Sequence, residues 1–110
     1  MHRKNYKGRC IKKKVTKCEM AARTYSDIAL AYLDVLERNG EVKSFECNVQ
    51  ISDDYVSDFV ITKTDGELAV RECVDREKIS KPMNVKLLEM SRNYWTGCGV
   101  KDWGLVVNEK

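Results

Sequence analysis

The stretch Tyr55-Val56-Ser57-Asp58-Phe59-Val60-Ile61-Thr62, followed by Asp65-Gly66 and then Leu68-Ala69-Val70-Arg71-Glu72-Cys73-Val74, decides how this chain is read. Two runs rich in β-branched and aromatic residues, with Asp-Gly between them, predict an antiparallel hairpin. Each run carries one acid, Asp58 or Glu72, and adjacent strands bring side chains on one face close together. Metal-dependent cleavage of a phosphodiester uses such a carboxylate pair to hold the ion. It also needs a group that raises hydroxide and balances charge in the transition state. A lysine two residues after the second acid serves that purpose, because alternation puts both on one face. That position is Val74, which supplies neither a proton relay nor a cation. Taken alone, one acid per strand is a weak signal, and solvent-facing carboxylates are the plainer reading.

Outward from the hairpin, the pattern before it is a helix and then a strand. Ser26 or Thr24 can cap a helix in which Asp27 favours the N-terminal end and Ile28, Tyr32, Val35 and Leu36 recur at helical spacing, with Asn39-Gly40 ending it. Val42 to Ile51 reads as a strand in which Phe45, Cys47, Val49 and Ile51 alternate with Glu46, Asn48 and Gln50. After the hairpin, charged residues from Asp75 to Lys81 form a connection, and Pro82 opens a second helix that runs to about Trp95. Gly97 and Gly99 stop it, and Trp103-Gly104-Leu105-Val106-Val107 reads as a final buried strand. The order helix, three strands, helix, strand predicts an α/β architecture with a central mixed β-sheet flanked by two helices, the second helix making the crossover to a parallel strand.

Composition bounds the rest. A length of 110 residues with 43% hydrophobic content fits one compact domain. No run approaches eighteen uncharged apolar residues and no apolar core follows the basic first residues, so neither a membrane span nor a signal peptide is expected, and the implied compartment is the cytoplasm. The five cysteines, Cys10, Cys18, Cys47, Cys73 and Cys98, contain no Cys-x-x-Cys pair, and His2 is the only histidine. Structural zinc takes about four ligands, so reduced and mostly packed thiols are the better reading, with Cys98, between two glycines, the one to watch for exposure.

Charge is unevenly placed. Residues 1–18 hold Arg3, Lys4, Lys7, Arg9, Lys12, Lys13, Lys14 and Lys17 and no acid, a charge of +8 against +3 for the whole chain, which leaves −5 for residues 19–110. We therefore divide the chain into a basic N-terminal segment, 1–18, and a folded domain, 19–110. The segment suits sequence-independent binding to phosphates, with Lys12, Lys13, Lys14 and Lys17 as the candidate contacts, or is simply a solvated tail. Tyr6 and Gly8 interrupt the basic run, and Ile11 and Val15 suggest an edge strand in its second half.

Several longer strings follow the same order. They are Ser26-Asp27-Ile28-Ala29-Leu30-Ala31, Ser57-Asp58-Phe59-Val60, Asp65-Gly66, Lys86-Leu87-Leu88-Glu89-Met90-Ser91-Arg92-Asn93-Tyr94-Trp95 and Gly99-Val100-Lys101-Asp102-Trp103-Gly104-Leu105-Val106-Val107. With them, residues from about 20 to 108 resemble the catalytic domain of TnsA-type transposon endonucleases, a branch of the PD-(D/E)xK, or restriction-endonuclease-like, fold. The resemblance implies that Asp58 is the central metal-binding aspartate and Glu72 the second acidic position, the two holding Mg2+ or Mn2+. It also exposes departures. Ala29 stands where the family's first helix has a glutamate, and Cys47 lies near the place of a glutamine on the preceding strand. The family's lysine aligns with Val74, or with Asp75 if the register slips by one. Loss of the lysine alone costs orders of magnitude in rate, and loss of the helix glutamate weakens the metal further.

The expected function is a catalytically degenerate relative, a DNA-binding or protein-interacting accessory of a mobile element or phage. Its partners would be DNA and a protein of a transposition, phage or defence complex, without a membrane. Two alternatives stand beside it: an active divalent-metal endonuclease with a relocated lysine, for which Lys78 or Lys81 is the candidate, and a protein-interaction module without DNA affinity. Because the chain ends at Lys110, the further domain through which the family engages its ATPase regulator is not expected. Tyr94, Trp95 and Trp103 are read as core rather than base-stacking residues. Arg92 and Lys86 with Glu89 between them, and Lys63 near the hairpin turn, are read as surface.

Overall fold

In a computed structural model of the chain, the acid-bearing hairpin forms the middle of a four-stranded sheet. The structure describes residues 10–18, 21–53 and 55–108. Arg3, Lys4, Lys7 and Arg9, with His2, Tyr6 and Gly8, lie outside them. The elements in order are β1 (Ile11–Lys13), β2 (Ala22–Thr24), α1 (Asp27–Arg38), β3 (Val42–Ser52), β4 (Tyr55–Lys63), β5 (Leu68–Val74), a 3-10 turn (Arg76–Lys78), α2 (Pro82–Gly97) and β6 (Asp102–Val107).

The local signals are each satisfied by a named contact. Ser26 caps α1, its hydroxyl oxygen accepting from the Ala29 amide, while Thr24 sits in β2 and donates to the Ile11 carbonyl. Gly66 takes the hairpin turn at φ +90°, in the region that L side chains avoid, and Asp65 accepts from the Glu67 amide across it. Pro82 opens α2. Gly99, at φ +95°, lets the chain fold back so that the Val100 amide reaches the Trp95 carbonyl.

The sheet order is β3-β4-β5-β6, with β3/β4 and β4/β5 antiparallel and β5/β6 parallel across the α2 connection. This is the α/β arrangement of a mixed sheet with two helices expected from the order of elements. Neighbouring residues on β5 divide between two cores, which puts the helices on opposite faces. Ala69 and Cys73 pack with Leu33 and Leu36 of α1, and with Phe45, Phe59 and Ile61. Val70 packs with Trp95 of α2 and Val100, with Val60 and Trp103 against them. No helix of the described residues is long and apolar enough to cross a membrane.

The second half of the basic segment forms the expected edge strand, Ile11–Lys13, which pairs with Ala22–Thr24 in a two-stranded sheet apart from the main one. Val15 and Cys18 lie against the α1 core, and the Phe45 amide donates to the Lys17 carbonyl. Two expectations are corrected. In β3, strict alternation fails: Phe45 and Cys47 face the α1 core, whereas Val49 and Ile51 pack on the α2 side. Asn48, between them, has φ +57°, a left-handed conformation that Asn tolerates and that turns the strand's faces over. Finally, Tyr94 is not core; it is 44% exposed beside the buried Trp95, edge-on to its ring.

Candidate functional site

The site begins where the hairpin ladder stops. Regular pairing of β4 with β5 runs from Thr62↔Leu68 to Phe59↔Arg71. Beyond it the backbone carbonyls give way to carboxylates. The Asp58 amide donates to Glu72 Oε1 at 3.0 Å, and the Cys73 amide donates to Asp58 Oδ2 at 2.7 Å. Each acid thus closes on the backbone of the other strand, and the two strands are joined through side chains at the point where they separate. The sequence-predicted pair is brought together, but inward: Asp58 is 4% exposed and Glu72 0%.

Glu72 continues the network into α2. Ser91 donates its hydroxyl to Glu72 Oε2 at 2.6 Å and accepts the indole N–H of Trp103 at 3.0 Å. A parallel tie runs from the Trp95 indole to Ser57 Oγ at 2.9 Å, which places Ser57, next to Asp58, on the α2 side. The two tryptophans, Trp95 buried and Trp103 half-buried, therefore have structural work: each indole N–H finds a buried serine acceptor. Tyr55, fully buried, lies beside this group. Burial first, then the charges of Glu72 and Asp58, push its phenol far above its ordinary range, so it stays neutral.

The positions read as vacated are packed or turned into other contacts. Ala29 is buried in the α1 core with Cys73 and Phe59, on the face of the sheet opposite the Glu72–Ser91 contact. Val74 is buried at the end of β5, paired with Val107. Asp75 turns away to cap the 3-10 turn, accepting from the Glu77 amide. Lys78 is exposed at the end of that turn and Lys81 is exposed at the start of α2. Cys47 is half-buried beside the Cys18 thiol, and burial above all, then the neighbouring thiol, pushes it up to about 12. It is a poor nucleophile. None of the five cysteines is in a disulfide, and Cys10 as well as Cys98 is exposed.

Both acids are buried and already hydrogen-bonded, which narrows what they offer a divalent cation. Mg2+ takes about six oxygens in an octahedron and keeps several waters. At least three of the four carboxylate oxygens here, Asp58 Oδ2 and both of Glu72, accept hydrogen bonds from the protein. Among the described residues the pair belongs to no group of three or more His, Cys, Asp or Glu donors. A carboxylate oxygen that accepts one hydrogen bond keeps a second lone pair, so what an ion would have to gain is access to the buried junction.

The basic residues divide by use. Lys13 pairs with Asp34 at 3.0 Å. Lys17 Nζ donates to the Leu36 and Asn39 carbonyls at the C-terminus of α1, where a cation meets the helix dipole. Lys12 and Lys14 are exposed. At the far end of the hairpin, Lys63 and Arg71 both hold Asp102, at 2.7 and 2.8 Å, so Lys63 is a half-exposed ion-pair member rather than a free surface lysine.

Sequence reasoning missed Ser57, Ser91 and Tyr55 as partners of the acids. Ser91 had a signal: it falls on the stripe Leu87, Leu88, Ser91, Trp95, which α2 buries, and a serine on an apolar stripe asks for a buried acceptor. Neither a protein-family model nor a curated protein matches the chain.

Proposed function

We propose that this chain is a TnsA-like domain of the restriction-endonuclease-like fold that has lost catalysis and serves as a DNA-binding or protein-interacting accessory of a mobile element or phage. The observation that carries this reading is the strand junction itself. Two acids on adjacent central strands, at the point where the strands part, are the arrangement a metal-dependent nuclease needs, and here they are committed to holding the fold. Ala29 and Val74, packed in apolar surroundings, supply neither the glutamate nor the lysine that the chemistry requires. The mixed sheet with a helix on each face, and a parallel last strand reached through α2, supports the fold assignment. Lys78, exposed on a separate turn, offers nothing in favour of a relocated lysine.

The test is cleavage. Incubated with supercoiled plasmid in Mg2+ or Mn2+, the purified chain should leave the plasmid intact, and Asp58→Asn should behave as the parent does. Metal-dependent nicking that disappears in Asp58→Asn would overturn the reading.

A further inference from the structure

The small β1–β2 sheet sets two like charges against each other. Lys12 stands directly across from Arg23, both side chains exposed. Like charges at opposed positions of a β-ribbon are destabilising. Among the described residues neither is paired with a carboxylate, although Lys13, between the same strands, is paired with Asp34. Lys14 continues the exposed basic run.

Beside this ribbon lies a cleft of about 820 Å³ whose lining includes Arg23, Ser44, Glu46, Cys47 and Asn48. The Asn48 side chain donates to the Arg23 carbonyl at 2.8 Å, fixing β2 against β3. The cleft's Cys47–Asn48 wall belongs to the stretch of β3 paired with the acid-bearing part of β4, through Cys47↔Phe59 and Val49↔Ser57.

We propose that Lys12, Lys14 and Arg23 grip the phosphates of a DNA duplex whose backbone runs along this cleft, so that the ribbon is the nucleic-acid interface and Lys13 and Lys17 are its internal supports. The paired cations fit an anion that bridges them. Arg23, moreover, was not among the basic residues of the N-terminal segment; chain folding brings it beside Lys12. Glu46, exposed on the cleft wall, repels phosphate and confines the DNA backbone to the Arg23 side. The proposal rests on the DNA-binding form of the function proposed above.

Binding of the full chain to a short duplex of random sequence, followed by fluorescence anisotropy across a salt series, tests it. Lys12→Gln/Arg23→Gln should weaken binding by about tenfold or more and reduce the slope of log affinity against log salt by about 2, one for each lost phosphate contact. Lys13→Gln, which removes a charge from the same ribbon, should keep the parent slope, and Glu46→Gln should bind more tightly. The double variant should be no less stable than the parent, because it removes a repulsion. If the parent binds DNA and the double variant keeps its slope, or Lys13→Gln loses as much, the interface is elsewhere and only this proposal fails. If the parent prefers polyglutamate to DNA, or binds no DNA at all, the DNA-binding reading fails with it.

Discussion

At the scale of single residues, the sign of one substitution separates a retained nuclease acid from a structural one. A carboxylate kept for a cation is repelled by its neighbour when the cation is absent, and its removal stabilises the protein. Glu72 instead accepts from the Asp58 amide and the Ser91 hydroxyl with no exposed surface. Glu72→Ala should therefore cost about 3 kcal/mol or more, from the void and the stranded donors. Glu72→Gln retains one acceptor oxygen and should cost about 1–2 kcal/mol, and Ser91→Ala about 2 kcal/mol by orphaning the Trp103 indole. Urea midpoints measured by tryptophan fluorescence give all three, and a gain in stability in Glu72→Ala would refute the structural role. The pair Asp58 and Glu72 was legible in the sequence because acids on neighbouring strands stand out in apolar runs. Their inward aim was not, because it depends on Ser91, which is 19 residues further along the chain from Glu72.

At the scale of elements, the helices and the hairpin announce themselves through local chemistry: the Ser26 cap, the Asp65-Gly66 turn and Pro82 at the start of α2. What escaped was decided by tertiary contact. The reversal of faces in β3 turns on one left-handed residue, Asn48, which a period-two pattern does not reveal. The placement of residues 15–18 rests on Glu37 of α1, whose carboxylate accepts from the Thr16 amide at 3.2 Å, the Thr16 hydroxyl at 2.8 Å and the Lys17 amide at 2.9 Å. Those bonds, the one from the Lys17 amide foremost, hold the Glu37 carboxyl below its ordinary value of 4.5. Because the folded form is depressed, its contribution is complete above the unfolded value and is lost as pH falls through the folded one. The Thr16 and Lys17 amide resonances should therefore titrate together below pH 4.5, with a midpoint lower than that of a free glutamate. In Glu37→Gln they should already be shifted at neutral pH. Resonances that do not move through this range would show that another contact anchors the segment.

At the scale of the whole molecule, the closed strand junction and the absent lysine bear on the same equilibrium, binding of a divalent ion to the folded state. A ligand that binds only the native protein stabilises it by RT ln(1 + [L]/Kd), so an ion present at ten times its Kd adds about 1.4 kcal/mol. For a domain of this size that is a rise of about 6 °C in the melting temperature. Here the Cys73 amide holds Asp58, and the Ser91 hydroxyl and Asp58 amide hold Glu72, at a buried junction that links the β4–β5 hairpin to α2, so an ion that drew these oxygens out of place would weaken those bonds. Charge-assisted hydrogen bonds contribute about 1.5–3 kcal/mol each, enough to cancel the gain from a millimolar site. The melting temperature should thus be the same in millimolar Mg2+ or Mn2+ as in a monovalent salt of equal ionic strength, in the parent and in Asp58→Asn alike. A rise of several degrees in the parent, absent from Asp58→Asn, would mean that the junction opens to take a metal and that the acids retain their ligand role. No change in either, together with DNA binding through the β1–β2 ribbon, would mean that the chain holds DNA without the ion, with Asp58 and Glu72 fastening one strand to the next.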